Sequence, residues 1–293
     1  MKTVRFTLVL LLSLASAFAF SQKQPGDDCT REDSFPTSCN PFQAKHHRAI
    51  DDVCGPAGDA EDPGDAAQDK AKNNLCSGGS PVVIAVGDLK DMQNAVDSST
   101  LVYGNRHANP SIPPPPVDRE KFFGAVASDG PGEGAVVSFV GYIAETRAGS
   151  SESVNCHCNG IIYNDIHIAL APHALHLQKA AKNATNARKQ LVTTQNNEAL
   201  CTDSFTAEIT PHLRPTAFTR PVLNQLVDTK VIKVTGQLFF DAAHHPCKGT
   251  VPGSQDPARF TSWEIHPVYS VQVCRKSSLD QCPADDPSVW KEL

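Results

Sequence analysis

Five segments of alternating polarity, a short helix signal between the third and the fourth, and ten cysteines predict a mainly β, disulfide-bonded protein. Three strands, one helix and two strands is the order of a five-stranded OB-type (Greek-key) barrel, each strand half buried. Ahead of it, residues 20–100 hold four of the cysteines and few β-branched runs, and predict a small disulfide-stapled helical module.

The chain opens with a positive start at Lys2 and Arg5, an apolar run from Phe6 to Leu14, and small residues at Ala15, Ala17 and Ala19. That is the pattern of a signal peptide over residues 1–19, too short for a membrane-spanning helix, which needs about 18 or more apolar residues. The expectation is a secreted or periplasmic protein with no membrane span. Removal of residues 1–19 takes away Lys2 and Arg5 and no acidic residue, so the formal charge moves from −6 to −8. Such a field does not steer the protein towards nucleic-acid backbones.

In an oxidising compartment an even cysteine count reads as disulfides. Zinc is the rival for Cys156-His157-Cys158 and for Cys247 beside two histidines, but paired C-x-x-C spacings are lacking. Local pairing suggests Cys274 with Cys282, and Cys201 with Cys156 or Cys158.

Within the amino-terminal module, Asp65 to Cys76 and Asp88 to Val96 read as short helices around a Pro/Gly/Asp loop from Gly55 to Gly64. Residues 101–134 read as a linker, because four consecutive prolines, Pro113 to Pro116, favour an extended spacer. The barrel domain spans 135–275, followed by a tail over 276–293.

Its strands are Val136 to Thr146 with Gly141 at a bend, Asp165 to Leu170, Phe205 to Thr210, Val231 to Phe240, and Trp263 to Val273. Alternation groups Ile166, Ile168 and Leu170; Phe205, Ala207 and Ile209; Ile232, Val234, Leu238 and Phe240; and Trp263, Ile265, Tyr269, Val271 and Val273. Thr219 to Val227 has a hydroxyl cap, an early proline and apolar spacing, so Val222, Leu223, Leu226 and Val227 would plug the barrel end. Residues 172–200, rich in Lys, Ala and Asn, read as a helical insertion after the second strand.

Several strings in this region occur together: Glu133-Gly134, Glu152-Ser-Val-Asn-Cys156, Asp165 to Ile168, Glu208-Ile-Thr-Pro211, Val234 to Asp241, His244 and Trp263-Glu-Ile-His-Pro-Val268. The set resembles bacterial secreted OB-fold-like proteins that carry the W-E-I-H-P-V string. The resemblance covers roughly residues 133–274 and implies a fold and a bacterial source, but supplies no catalytic residues. The calcium and phosphate constellation of the OB-type thermonucleases does not map onto these strands.

If the apolar residues face inwards, alternation exposes Asp165 and His167, then Thr206, Glu208, Thr210 and His212, then Ser262, Glu264 and His266. In the expected barrel the second, third and fifth strands are neighbours, so His167, Glu208 and His266 could meet as ligands of a divalent transition metal such as zinc. Asp241 and His244, with His245, would border that site. The bland alternative is ordinary cross-strand pairing of histidines with carboxylates.

Three functions follow. One is a binding or interaction module, with a protein or small-molecule ligand and a bound metal. Another is a metal-dependent hydrolase, with Glu264 as general base. The third is an envelope structural protein, with contacts made by the cysteine-rich amino-terminal part. Nothing marks a metalloprotease, a nucleophile elbow or a P-loop. Nucleic acid fits poorly, since Trp263 and Tyr269 fall on the predicted interior. Arg214 and Arg220 flank the short helix and could hold an anion.

Overall fold

A computed structural model describes residues 48–55, 57–75, 77, 79–106, 109–124, 130–249 and 258–293. The expected signal segment and Cys29, Cys39 and Cys76 lie outside the described residues. Five α-helices occur among them: α1 (Pro63–Lys72), α2 (Val86–Asp97), α3 (Arg119–Phe123), α4 (Asn186–Asp203) and α5 (Arg220–Asn224). None of these is long and apolar enough to cross a membrane. The strands are β1 (Val82–Val83), β2 (Val136–Ala148), β3 (Ile166–Ala171), β4 (Phe205–Ile209), β5 (Ile232–Phe240), β6 (Trp263–Cys274) and β7 (Trp290–Glu292).

Five of the strands close on themselves in the order β2-β3-β4-β6-β5, and β5 returns to β2. Four of these pairings are antiparallel; β4 and β6 run parallel, with Ala207 opposite Ile265. β1 lies outside on β2, and β7 on β6. The result is a closed five-stranded barrel with two outer strands. Closure leaves the barrel strands without a free hydrogen-bonding edge along their paired length.

The interior follows the alternation. Ile166, Ile168, Leu170, Phe205, Ala207, Ile209, Ile232, Val234, Leu238 and Phe240 all lie in one buried cluster. Leu223 and Leu226 join that cluster from α5 and the turn after it, with Val227 packed against it, whereas Val222, expected with them, is half-buried outside the cluster. α2 adds Leu89, Met92 and Val96 to the same core. Between α2 and β2, Tyr103 and Phe123 are buried in it as well.

β6 departs from strict alternation. Trp263 and Ile265 face inwards, but the next inward residue is Val268, and Tyr269 packs outside with Leu75, Val136 and Leu213. Tyr269 was expected inside. The cause is a pair of register shifts on either side of Gly236: Leu238 pairs with Ile265 but Gly236 with Val268, which inverts the phase, and Thr235 pairs with Ser270, which restores it, so that Val271 faces inwards again. Gly236 sits at this crowding, where a Cβ would come within 2.4 Å of the Pro267 carbonyl oxygen. At Gly141 a Cβ would lie 2.3 Å from the Ala171 carbonyl oxygen, so close approach explains that glycine, while the register break in β2 falls later, between Ile143 and Glu145.

The insertion after β3 is helical only in its second half. α4 begins at Asn186, where the Thr185 hydroxyl accepts from the Arg188 amide, and runs on to Asp203. Three disulfides join described cysteines: Cys54–Cys156, Cys201–Cys247 and Cys274–Cys282. The last is the expected local pair. Cys201 instead reaches Cys247, because α4 ends against the chain following β5, whereas Cys156 is held by the segment ahead of α1.

Candidate metal centre

The same alternation that buries Ile168, Ala207 and Ile265 turns His167, Glu208, Glu264 and His266 to the outer face of the barrel. His167 and Glu208 are direct partners across β3 and β4. The parallel match of Ala207 with Ile265 then sets Glu208 beside His266. His167 Nε2 lies 3.5 Å from Glu208 Oε1, and His266 Nδ1 lies 2.9 Å from Glu208 Oε2 and 3.9 Å from Glu264 Oε2. Asp165, two residues before His167, shares its face. One donor atom from each of Asp165, Glu208 and His266 fits within a 4.8 Å group.

These side chains were expected to be exposed, and they are not. Glu264, His266, Thr206 and Thr210 are fully buried, Asp165 and Glu208 nearly so, and His167 is half-buried. A second layer covers the sheet. From α1, Lys72 Nζ donates to Glu152 Oε2 at 3.0 Å, and Glu152 stands in the β2–β3 loop. Asn73 Nδ2 donates to the Val154 carbonyl, the Asp59 amide to the Ser153 carbonyl, and the Cys54–Cys156 bond ties the same two segments. His212, expected on this face, is instead buried against Asp51, 2.7 Å from its Oδ1. Arg214 directs Nη1 and Nη2 at the carbonyls of Ile161, Asn164 and Ile209.

A second group lies alongside. Arg259 Nη2 donates to Asp241 Oδ2 at 2.7 Å, while Nη1 donates to Glu264 Oε1 and Thr206 Oγ1. Asp241 Oδ1 accepts from Gln68 Nε2 and from the Ala243 amide, and Oδ2 also meets His244 Nδ1 at 2.6 Å. All lone-pair capacity of Asp241 is thereby directed at protein groups, so it borders the cluster without offering an oxygen to it. Glu264 is likewise held by Arg259 and has no exposure through which to meet a substrate.

The charges set each other. Burial alone would raise Glu208, but His167, Lys72 and His266 hold it well below the usual carboxylate range. Burial would lower His266, yet Glu208 above all pushes it up to about 10. Burial raises Asp165 to about 6, against the pull of His266, and raises Glu264, reinforced by Glu208. Lys72, despite its burial, is held well above its ordinary value by Glu152, Glu208, Asp241 and Glu264. His244 is raised chiefly by Asp241.

Apart from the His266 Nδ1–Glu208 Oε2 pair, five atoms in this cluster are buried without a hydrogen-bond partner: both Asp165 oxygens, Glu264 Oε2, His167 Nε2 and His266 Nε2. Folded proteins satisfy nearly all such atoms, so their concentration at one place calls for a missing partner. A cleft of about 320 Å³ opens beside them, lined by Lys72, Arg147, Glu152, His167, Glu208 and His244 among others.

The structure thus brings together His167, Glu208 and His266, with Asp165 as a closer neighbour than alternation alone ranks it. Lys72, Glu152 and Arg259 are absent from the sequence expectation, since each arrives from a helix or loop whose local text resembles solvated surface. No protein-family model, curated protein or solved structure matches this chain.

Proposed function

We propose that this chain is an exported binding protein whose OB-type barrel holds a divalent transition metal, such as zinc, on its outer face. Asp165, Glu208 and His266 are the ligands, and His167 completes the set from the cleft side. The two Asp165 oxygens and His266 Nε2, buried without a hydrogen-bond partner beside Glu208, carry this reading. In a tetrahedral zinc site, donors about 2.1 Å from the ion stand roughly 3.4 Å apart, so a 4.8 Å group needs only a small contraction. Imidazole with carboxylate is a donor set for zinc, iron or copper rather than for calcium.

The barrel order β2-β3-β4-β6-β5, the parallel β4–β6 contact and the helix between β4 and β5 support the OB assignment. The W-E-I-H-P-V resemblance points the same way. Export is supported by the disulfides together with the positive, then apolar, then small-residue start of the chain.

The test is elemental analysis of purified protein after zinc exposure and desalting, alongside Asp165→Ala and His266→Ala. One zinc per chain in the wild type, lost in both variants at unchanged circular dichroism, is the expected result. Zinc equal in all three proteins, or absent from the wild type, removes the proposal.

A further inference from the structure

The insertion between β3 and β4 concentrates positive charge on an acidic protein. From Ile166 to Asn197 the chain has no carboxylate, but it has Lys179, Lys182, Arg188 and Lys189, all of them exposed. Ion-pair contacts of this insertion go from His173 to Asp203 and from His176 to Asp228, and leave the four cations without a carboxylate among the described residues. Elsewhere Lys72, Arg106, Arg119 and Arg259 are each met by one. The whole chain carries −6, so the remainder without these four carries −10.

α4 stands out from the barrel at its start. Every residue from Thr185 to Leu191 is exposed, and Val192 is the first to be buried. Nearly two turns of helix therefore meet no protein on any face. The root is fixed: Leu200 is buried, and Cys201 is bonded to Cys247. The Gln178 amide donates to Asn196 Oδ1 and its carbonyl accepts from Asn196 Nδ2, both at 2.9 Å. The segment with Lys179 and Lys182 thus runs from the flank of α4 at Asn196 to its start at Asn186, next to Arg188 and Lys189. The first turn of α4 holds no acidic residue and the last no basic one. That order opposes the helix dipole, so helix stability does not account for it.

We propose that this arm docks the protein peripherally on an anionic phospholipid surface. Opposite charge supplies the attraction, and a projecting tip suits a flat partner. Ala187 and Leu191, four apart on one helix face, place an apolar strip next to Arg188, and Leu191 is 46 % exposed. Lysine and arginine stems lie along such a strip with their heads at the phosphates. Single-stranded nucleic acid calls instead for stacking platforms, and no aromatic residue occurs between Tyr163 and Phe205. The remaining negative charge is repelled by the same surface and turns the molecule arm-first. The arm leaves the end of β3, whereas Glu152 and Asp165 precede its start, so docking leaves the candidate metal centre at the opposite end of that strand. The docking is independent of metal binding.

The experiment sediments the full chain with vesicles of phosphatidylcholine, alone or mixed equally with phosphatidylglycerol. Wild type is compared with Lys179→Gln/Lys182→Gln and with Arg188→Gln/Lys189→Gln. A third variant, Lys276→Gln/Lys291→Gln, removes the same charge from exposed positions elsewhere. Each cation near an anionic surface strengthens binding by about fivefold, so both arm variants should lose about 25-fold at unchanged melting temperature. The third variant should bind as wild type does, and about 0.5 M salt should release the protein. No binding to the anionic vesicles, equal binding to phosphatidylcholine alone, or an equal loss in the third variant overturns the proposal. Retention on heparin or single-stranded DNA without vesicle binding also overturns it, and gives the arm to a polyanion instead.

Discussion

Arg259 binds Asp241 across the mouth of the barrel, Nη2 to Oδ2 at 2.7 Å, with both side chains almost wholly buried. The same guanidinium reaches Glu264, so one cation from the loop before β6 neutralises two carboxylates that end β5 and begin β6. Removing one partner of a buried ion pair costs more than the pair is worth, because the other charge is left desolvated. Arg259→Met therefore lowers unfolding free energy by about 3–5 kcal/mol. The measure is urea unfolding monitored by the buried Trp263. A loss below about 1 kcal/mol would mean that water reaches both carboxylates and that the burial described is not maintained in solution.

His266 gives the metal-free protein an alkaline weakness. Its folded-state value is raised from 6.5 to about 10, so the folded state holds a proton that the unfolded chain releases. Stability from this group is fully present below pH 6.5 and is lost as pH rises through 10. The urea midpoint of the metal-free protein falls across that window, and His266→Gln flattens the fall. Asp69, raised by burial to about 7, acts in the same direction in the window below. A wild-type profile level between pH 6.5 and 10 would sink the assignment.

Among the described disulfides, the longest and the shortest loops separate in their effect. Cys54–Cys156 closes 102 residues and Cys274–Cys282 closes 8. Loop-closure entropy in the unfolded chain makes the long bridge worth about 4.7 kcal/mol and the short one about 2.5 kcal/mol. Paired Cys→Ala variants read by chemical denaturation should preserve this order. The Cys54/Cys156 pair should also loosen Glu152 and Lys72 over the cluster, visible as faster amide exchange at Glu152 to Asn155. Equal losses for the two bridges would rule out the entropic account.

The barrel was legible because period-two alternation is a local property: Ile166, Ile168 and Leu170, or Ile232, Val234 and Leu238, report their face without knowledge of any partner. The outward turn of His167, Glu208 and His266 was legible for the same reason. Their burial was not. It depends on Lys72, Gln68 and Asp69, which in a run of Asp, Ala, Gln and Lys look like the solvated side of a helix. Whether such a helix meets water or a nest of carboxylates is decided by tertiary packing, to which periodicity is blind. Arg259 follows a run of Pro, Gly, Ser, Gln and Asp between the fourth and fifth strands, where no periodicity marks it. Tyr269 was placed on the wrong side because two register shifts around Gly236 each add a residue to β6 and leave no mark in the apolar pattern.

Those shifts yield a further expectation. Gly236 lies where a Cβ would approach the Pro267 carbonyl oxygen to 2.4 Å and Ile265 Cγ2 to 2.5 Å. The first obstacle is backbone and cannot rotate away. Gly236→Ala should cost about 1–3 kcal/mol by overpacking, although alanine has the better strand propensity. Thermal unfolding with an intact near-ultraviolet spectrum checks it. A neutral or stabilising outcome would show that β5 and β6 separate more freely than their register implies.

Lys72 stands in a double role, and its replacement should move two quantities in opposite directions. In the metal-free protein its amine answers Glu152 at 3.0 Å and is held charged by Glu208, Asp241 and Glu264 as well. Lys72→Met leaves those carboxylates facing one another, so the metal-free fold loses stability, by a few kcal/mol on the scale of a broken buried pair. A divalent ion at Asp165, Glu208 and His266 would be repelled by the same amine. At an effective dielectric near 20, removing one such positive charge is worth at least about 1.4 kcal/mol, or roughly tenfold in affinity. Lys72→Met should therefore bind zinc about tenfold more tightly while melting at lower temperature without it. Titration calorimetry and thermal melts with and without zinc measure both. Weaker zinc binding by this variant would place Lys72 among the groups that build the site rather than among those that compete with its ion.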